Sequence, residues 1–295
     1  MKNNVKTTIA VVAPFPFKKI KKGCNFLYKK ASIVYTLMPS AILPDKIPSS
    51  GFAFSIHKAG STLMHEMIRD VCAARNIPAI SLPDQFFNQG ILDHEWAYDP
   101  KVLKGIYAGR VYYGFRYLPP ILMGPEVKTL MQKSVLLIRD PRDILVSQFF
   151  SFGRPNGSHC LPSNEAASNH HKHAQACEID QYVLDSAPLL LSKFTAYKDH
   201  LLSEHPRVYQ YETIYFEKQQ FLQSIFDQFQ IEVPATVVKQ VAELHDIRPT
   251  VEDPSKHIRQ GLPGDFRRKL RPDTIAQLTE QFRDIGQSFG YDLTN

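Results

Sequence analysis

Three short segments of the chain combine basic side chains with glycine or helix-capping residues. They are His-Lys-Ala-Gly-Ser-Thr at 57–62, Arg-Asp-Pro-Arg at 139–142 and Arg-Gln-Gly-Leu-Pro-Gly at 259–264. Lysine and arginine neutralise anions, and the backbone N–H groups of glycine-containing turns donate hydrogen bonds to them. The predicted chemistry is the binding of phosphate-like groups at three places in one chain.

The segment around Lys58 lies between a strand-like and a helix-like pattern. A short apolar run at 51–56 predicts a strand. Apolar residues recur at helical spacing over 63–72, so we expect a helix that Ser61 or Thr62 caps. Such a junction directs free N–H groups and the positive end of the helix dipole to one point. The alternative is an ordinary strand–turn–helix junction with a chance lysine.

The order of residues around Lys58 differs from that of nucleotide-hydrolase loops. Those loops have the pattern Gly-x-x-x-x-Gly-Lys-Ser/Thr, in which the lysine follows the second glycine and the hydroxyl binds magnesium. Here Lys58 precedes Gly60, and Ser61 stands where that motif has lysine. The segment can cradle an anion, but it is not a Walker loop.

Arg139 follows a continuous apolar run at 135–138, which is typical of a strand buried on both faces of a parallel sheet. Asp140 is a natural N-cap for the next helix, Asp143 stands at the capping-box position, and Ser147 lies about two turns along that helix. Because open parallel sheets bind ligands at the carboxyl ends of their strands, we expect Arg139 to face the same crevice as the first segment. The alternative is a surface ion pair between Arg139 and one of the two aspartates.

The C-terminal segment is a third candidate anion site. Residues 259–268 contain two glycines, one proline and three arginines, which indicates a flexible cationic loop. Gly261 and Gly264 allow backbone N–H groups to approach an anion closely. Elsewhere the periodicity predicts a strand at 207–214 and helices at 179–200, 216–229, 236–244 and 273–289.

Taken in this order, the segments resemble the sulfotransferases that use 3′-phosphoadenosine 5′-phosphosulfate, over about residues 51–295. Residues 58–62 resemble the family's 5′-phosphosulfate loop, and Arg139 with Ser147 resembles the pair that holds the 3′-phosphate. Residues 259–261 resemble the start of the C-terminal signature, and Tyr211 resembles a residue that touches adenine. The resemblance implies twelve cofactor-binding residues: Lys58, Ala59, Gly60, Ser61, Thr62, Leu63, Arg139, Ser147, Tyr211, Arg259, Gln260 and Gly261.

The chain departs from the family at the residues nearest the chemistry. Leu63 stands where cytosolic members usually have a tryptophan that stacks on adenine, so the aromatic platform must come from elsewhere or be weaker. No histidine stands at 113–116, where cytosolic members carry their catalytic base. Carbohydrate-modifying members use a glutamate just before a Phe-Phe pair, and Asp84 lies near that position here. We therefore expect Lys58 and Asp84 to be catalytic, with His94 and then Glu95 as substitutes for Asp84. The alternative is that Asp84 is only a turn residue after a proline.

The resemblance implies an α/β fold with a central parallel β-sheet flanked by helices, in one P-loop-like domain. It implies a sulfotransferase that moves a sulfuryl group from 3′-phosphoadenosine 5′-phosphosulfate to a hydroxyl or amine of a small-molecule acceptor, such as a natural product. Adenosine 3′,5′-bisphosphate (PAP) is then the product, and no metal is required. The acidic and aromatic residues of 84–118 suit a small, even cationic, metabolite. Two other classes stay open, a magnesium-dependent nucleotide kinase and a non-catalytic protein that binds anions or membranes.

The charge of the chain is concentrated at its N-terminus. The net charge is +6 over 295 residues, whereas residues 1–50 carry nine lysines against the single acid Asp45, so they hold +8 and the rest holds −2. We expect a basic N-terminal extension at 1–48 and a sulfotransferase domain at 49–295. A basic arm can touch nucleic acid or a membrane. No aromatic-interleaved basic face recurs in the rest of the chain, so nucleic acid is disfavoured and a solvated extension is preferred.

The cysteines, the apolar runs and the histidines allow predictions about the cellular compartment, membrane spans and metal sites. The four cysteines lie far apart, which favours a reducing compartment. The apolar runs at 9–17 and 31–43 are too short and too broken by proline to span a bilayer, so we expect a cytoplasmic protein. Residues 154–178 combine turn formers with four histidines in a spacing that fits no standard zinc finger, which predicts a mobile loop and no metal site. The oligomeric state is left open.

Overall fold

A parallel sheet of five short strands organises the structure, a computed structural model that describes residues 50–107, 109–153, 165–249, 251–253, 259 and 261–293. The strands are β1 (Gly51–Ser55), β2 (Ala79–Ser81), β3 (Val111–Phe115), β4 (Ser134–Ile138) and β5 (Arg207–Gln210). They lie in the order β2-β3-β1-β4-β5, and every neighbouring pair is parallel. The prediction of an α/β fold with a central parallel sheet is confirmed.

Helices follow the strands and flank the sheet, and their bounds are as follows. They are α1 (Ser61–Ala74), α2 (Leu82–Asn88), α3 (Asp93–Trp96), α4 (Lys101–Lys104), α5 (Pro141–Phe152), α6 (Glu165–Ala176), α7 (Ile179–His200), α8 (Tyr211–Ile214), α9 (Lys218–Phe229), α10 (Ala235–Leu244), α11 (Phe266–Lys269) and α12 (Pro272–Ser288). Three short 3₁₀ helices lie at Pro120–Leu122, Pro125–Met131 and Leu202–Glu204.

Both faces of the sheet are covered, because successive side chains of a strand point to opposite faces. Phe52 and Phe54 of β1 lie in one apolar cluster with residues of α5, α7 and α12. Ala53 of β1 and Val135 of β4 lie in a second cluster with residues of α1, α9 and α10. Every residue of β1 and β4 is buried, which is the pattern that the apolar run at 135–138 predicts.

Two local predictions and one alternative are wrong. The N-cap of α1 is Gly60, in a left-handed conformation at φ 89°, so neither Ser61 nor Thr62 caps the helix. Asp84 lies within α2 rather than in a turn, because Pro83 occupies the first turn of that helix, where its missing N–H costs no hydrogen bond. The strand predicted at 207–214 ends at Gln210, and the short helix α8 follows.

The loop predicted at 154–178 contains the helix α6. Ala174 of this helix is buried, and the ring Nδ1 of His171 lies 2.5 Å from the carbonyl oxygen of Phe152. Packing against α5 therefore stabilises a helix in a segment whose composition is typical of a loop. Across the part of the chain that the structure describes, no group of three or more His, Cys, Asp or Glu side chains is placed to hold a metal ion.

The predicted N-terminal extension at 1–48 and the first part of the predicted loop, 154–164, lie outside the described residues. Among the helices that are described, none is both long enough and apolar enough to cross a membrane.

Candidate functional site

The three basic segments meet at one cavity of about 810 Å³ at the carboxyl edge of the sheet. The turn after β1, the end of β3, the turn after β4, one side of α7 and the loop at 261–265 all contribute to its wall. Parallel strands end on the same edge, so the topology brings together residues that are far apart in the chain.

The turn between β1 and α1 is built from left-handed residues. Lys58 has φ 73° and Gly60 has φ 89°. A Cβ atom at position 60 would lie 2.6 Å from the ring of Tyr211, so only glycine fits this close approach. The ammonium group of Lys58 donates a hydrogen bond to Ser151 Oγ at 3.0 Å, which holds it at the cavity wall. Because glycine has no side chain that could cap α1, the first N–H groups of the helix are available to an anion.

The other residues predicted in this segment have different surroundings. Ala59 is fully buried, whereas Gly60, Ser61, Thr62 and Leu63 line the cavity.

Arg139 leaves the end of β4 and is buried. Its guanidinium donates to Asp143 Oδ2 at 3.0 Å and lies 4.6 Å from the centre of the Tyr211 ring. Burial alone would lower the pKa of Arg139, but Asp143 and Tyr211 raise it, so the group keeps its charge. Its Nε atom has no hydrogen-bond partner among the described residues. Arg139 lines the cavity with Ser147, and its ion pair with Asp143 is buried rather than on the surface.

The helix after Arg139 begins as predicted, except for one residue. Asp140 is the N-cap of α5, and its side chain accepts from the backbone N–H of Arg142 at 2.9 Å. Asp143 does not form the predicted capping box. Its two carboxylate oxygens instead accept the backbone N–H groups of Gly264 at 2.7 Å and Phe266 at 3.0 Å, as well as the Arg139 guanidinium.

The C-terminal loop reaches the cavity through Arg259, Gly261 and Leu262. Arg259 forms ion pairs with Glu252 and Asp265, and its guanidinium lies 4.2 Å from the centre of the Phe150 ring. Gln260, the other residue predicted here, lies outside the described residues.

Tyr211 joins the first and third segments. Its ring lies under Gly60, and its hydroxyl donates to the carbonyl oxygen of Gly261 at 2.7 Å. Burial raises the pKa of Tyr211 to about 12, so the hydroxyl remains a donor at neutral pH. Its neighbour Glu212 accepts the backbone N–H of Asp140 at 2.9 Å and thus fixes the start of α5.

One end of the cavity lies beyond Gly60, on the side of β4 and β5. Leu63, Tyr215, Lys218, His245 and Ile247 line it. Tyr215 is the aromatic residue at this end, and its ring is held by the ammonium group of Lys218 at 4.8 Å from the ring centre. The cavity wall at this end therefore contains an aromatic side chain that does not come from position 63.

The opposite end of the cavity, on the side of β3 and β2, contains Asp84. Its Oδ2 accepts the Ser81 hydroxyl at 2.6 Å, and its Oδ1 accepts the Arg116 guanidinium at 3.2 Å. About half of the Asp84 side chain, 47%, is exposed, and the residue lines the cavity as the prediction requires.

The prediction that His94 belongs to this site is not supported by the structure. His94 is exposed on α3 and is not part of the cavity wall, whereas its neighbour Asp93 is. Glu95 Oε2 accepts the backbone N–H of Leu92 at 2.8 Å, so Glu95 caps α3.

The helix α7 contributes to the cavity in a way that was not predicted from the sequence. Leu189, Leu190 and Lys193 of this helix line the end that contains Asp84. Burial lowers the pKa of Lys193, and the charge of Asp93 opposes that shift. The only sequence signal for this arrangement is that the three residues recur at helical spacing.

A second, smaller cavity of about 310 Å³ lies behind the Asp84–Arg116 pair and is lined by His65 of α1. His65 is buried, and neither ring nitrogen has a hydrogen-bond partner among the described residues. Burial and the charge of Arg116 lower the pKa of His65 to about 3, so the ring is neutral in the folded protein near pH 7.

Comparison with known proteins shows what the chain resembles as a whole. No protein-family model and no curated protein sequence matches it. Solved structures do match. Mouse sulfotransferase SULT7A1 complexed with PAP is 18% identical with a TM-score of 0.53, over 88% of this chain and 91% of that one. Retinol dehydratase, in complex with androsterone and the inactive cofactor PAP, is 16% identical with a TM-score of 0.53, over 90% of this chain and 87% of that one.

A second structure of retinol dehydratase, in a complex with retinol and PAP, is 16% identical with a TM-score of 0.52, again over 90% of this chain and 87% of that one. The matches span nearly the whole of each protein. The chain therefore has the P-loop-like α/β fold of these sulfotransferases, as the sequence predicts.

Proposed function

We propose that this protein is a sulfotransferase that moves a sulfuryl group from 3′-phosphoadenosine 5′-phosphosulfate to a hydroxyl or amine of a small-molecule acceptor. One observation carries the proposal. Lys58, Arg139 and the loop at 261–265 line a single cavity, on a fold whose solved relatives hold PAP. When bound, the nucleotide supplies the sulfuryl group and a phosphate leaving group.

The turn at 58–62 would hold the phosphosulfate. In-line transfer between oxygens needs positive charge and hydrogen-bond donors at the equatorial and leaving oxygens. Lys58 supplies the charge, and the first N–H groups of α1 supply the donors. The Gly60–Tyr211 contact supports this role, because a side chain at position 60 would push the turn away from the anion.

Arg139, Ser147, Arg259 and Gly261, together with Gln260, would hold the 3′-phosphate. The buried Arg139 Nε without a partner is a donor that a phosphate oxygen can satisfy. A 3′-phosphate distinguishes this nucleotide from ATP, so these residues would set the selectivity for the donor.

Tyr211 would touch adenine, as the resemblance implies. Leu63, Tyr215 and Ile247 form the adjoining wall and offer apolar and aromatic surface to the base. The proposed reaction uses no metal ion.

The opposite end of the cavity would receive the acceptor. Phe87, Phe152, Leu189 and Leu190 give it apolar walls, which suits an organic molecule of small or moderate size. The retinol dehydratase structures hold androsterone and retinol, and both are small molecules with an apolar body. Two carboxylates at this end, Asp84 and Asp93, are in the wall and could take the acceptor's proton.

Binding of the nucleotide product gives the first test. PAP at about a hundred times its dissociation constant should raise the free energy of unfolding by roughly 2.7 kcal/mol, visible as a higher melting temperature. Arg139→Ala and the milder Ser147→Ala should reduce the shift. Arg283→Ala is the control, because Arg283 is exposed on α12 and pairs only with its helix neighbour Glu280.

Two outcomes would overturn the proposal. Stabilisation only by ATP with magnesium would identify a nucleotide kinase. The second outcome is no shift with any nucleotide, together with loss of anion or membrane binding when residues 1–45 are deleted. It would identify a protein that binds anions or membranes through its basic N-terminus. Under our proposal the deletion leaves PAP binding intact. We also propose a cytoplasmic location, on the strength of the four scattered cysteines.

A further inference from the structure

Two aspartates lie at the end of the cavity that would receive the acceptor, and their surroundings differ. Asp84, on α2, has both carboxylate oxygens engaged, one by Arg116 and the other by Ser81. Asp93, the first residue of α3, is open to the cavity and has no ion pair among the described residues. A carboxylate already bound to a guanidinium is a weaker base than one without such a partner.

Asp93 is nevertheless held in place. Its Oδ1 accepts the indole N–H of Trp96 at 3.2 Å. Trp96 is fully buried and stacks on Phe86 with 5.0 Å between ring centres, so the group that orients the carboxylate is itself fixed by packing. The Tyr117 hydroxyl lies beside the same carboxylate and shares the cavity wall.

The net effect of the surroundings of Asp93 is a raised pKa. Burial raises the pKa of Asp93, while the Trp96 hydrogen bond, Arg116, Tyr117 and His94 oppose the rise without cancelling it. Lys193 of α7 lines the same cavity, and the charge of Asp93 supports its protonated form. A carboxylate that lines the cavity and whose pKa lies above its ordinary value accepts a proton more readily than an aspartate with an unshifted pKa.

We propose that Asp93 is the general base that takes the proton from the acceptor. The inference rests on the proposed sulfotransferase function and adds a residue to it. In the step, the acceptor O–H or N–H bond breaks and its proton passes to the Asp93 carboxylate. The freed electron pair forms the new bond to sulfur, and the bridging S–O bond breaks with its pair leaving on the 5′-phosphate, beside Lys58.

The Asp84–Arg116 pair then has a different part. Arg116 donates both to Asp84 and to the carbonyl oxygen of Gly114 at 3.3 Å, so the pair ties α2 to the end of β3. It separates the main cavity from the smaller one that contains His65. This arrangement positions the wall and leaves the proton transfer to Asp93.

The test compares three asparagine variants. Asp93→Asn and Asp84→Asn each replace one candidate base. Asp99→Asn is the matched control, because Asp99 lies a few residues away, accepts only the backbone N–H of Lys101 and does not line the cavity. The donor is 3′-phosphoadenosine 5′-phosphosulfate, and the probe acceptors are 2-naphthol, p-nitrophenol and water, which is always present. Formation of PAP is followed against pH, and PAP affinity is measured by calorimetry.

Asp93→Asn should lower kcat by about 10²–10⁴-fold with 2-naphthol while PAP affinity stays within twofold. The wild type, Asp84→Asn and Asp99→Asn should all lose activity toward acid pH, and Asp93→Asn should lack this limb. The loss should be much smaller with p-nitrophenol, which ionises readily and needs no base. A merely structural residue would slow both phenols equally.

Carbon-13 NMR of aspartate carboxyl carbons gives a readout that needs no turnover. The signal missing in Asp93→Asn should titrate at higher pH than the signals of exposed aspartates. Wild-type rates in Asp93→Asn, or loss of the acid limb in Asp84→Asn instead, would overturn the assignment while the sulfotransferase function stands. Absence of PAP binding in the wild type, or of PAP formation with every acceptor including water, would remove the function itself.

Discussion

The carboxylate of Asp143 joins two segments that are distant in the chain, and its removal is the most direct test of how the cavity is built. Its side chain is fully buried and accepts three hydrogen bonds, from Arg139 and from the backbone N–H groups of Gly264 and Phe266. Asp143→Ala leaves the Arg139 guanidinium buried without its counter-charge, which typically costs about 3–5 kcal/mol. Two N–H groups also lose their acceptor, at roughly 1–3 kcal/mol each if water does not reach them.

These costs are not additive, because water that enters the cavity solvates all three groups together. We therefore expect Asp143→Ala to lower the free energy of unfolding by about 3–5 kcal/mol in total. Urea unfolding followed by fluorescence of Trp96, the only tryptophan of the chain, measures the change. PAP should recover part of the loss, since its phosphate would supply negative charge beside Arg139.

Asp284→Ala is the control for removing one aspartate, because Asp284 lies on the exposed side of α12. We expect it to change stability by less than about 0.5 kcal/mol. A loss below about 1 kcal/mol for Asp143→Ala, the size of one ordinary hydrogen bond, would refute the view that this carboxylate holds the C-terminal loop against β4.

Three further changes test single contacts of the site. Gly60→Ala should abolish PAP stabilisation, because its Cβ would meet the Tyr211 ring at 2.6 Å. Gly90→Ala is the control, because position 90 has φ 72° and nothing within 4 Å, so the variant carries only the left-handed strain of about 1 kcal/mol. Equal melting temperatures for the two variants would contradict the contact. Tyr211→Phe should cost about 0.5–1.5 kcal/mol through the lost bond to Gly261, and limited proteolysis should then cut the C-terminal loop faster than in the wild type. His65→Gln should flatten the fall of stability on acidification. The folded pKa of His65, about 3, lies below the usual 6.5, so the unfolded state binds the extra proton and stability falls as the pH drops below 6.5, by up to about 1.4 kcal/mol per pH unit; an unchanged slope in the variant would contradict the burial argument.

That the segments of Lys58 and Arg139 meet could be predicted from a general rule, whereas the third basic segment is joined to them only through the family resemblance. Arg139 comes directly after an apolar run and Lys58 comes two residues after one, and parallel strands end on one edge of the sheet. The rule needs only the local pattern at each position. The contacts that finish the site do not follow from any local pattern. Asp143 meets Gly264 and Phe266 across 121 and 123 residues of chain, and only the folded sheet brings them together.

The absence of His94 from the cavity wall, and the presence of its neighbour Asp93 there, show the same limit at short range. Both residues lie in a four-residue helix whose polar and aromatic residues have no clear period. Adjacent side chains of a helix point about 100° apart, so an error of one residue moves the predicted group out of the cavity. Packing of the buried Trp96 decides which side chain faces inward, and that packing cannot be deduced from spacing alone.

The position of β1 in the middle of the sheet has a consequence for how such a protein can change over time. β4, β5 and the C-terminal loop lie on one side of it, and β3, β2 and residues 82–107 lie on the other. Substitutions, insertions or exchange of residues 82–107 can reshape one half of the cavity while the contacts of Asp143 and Tyr211 in the other half stay intact. The same division offers an engineering route, in which a grafted 82–107 segment brings a new specificity while the half proposed to bind the nucleotide stays unaltered.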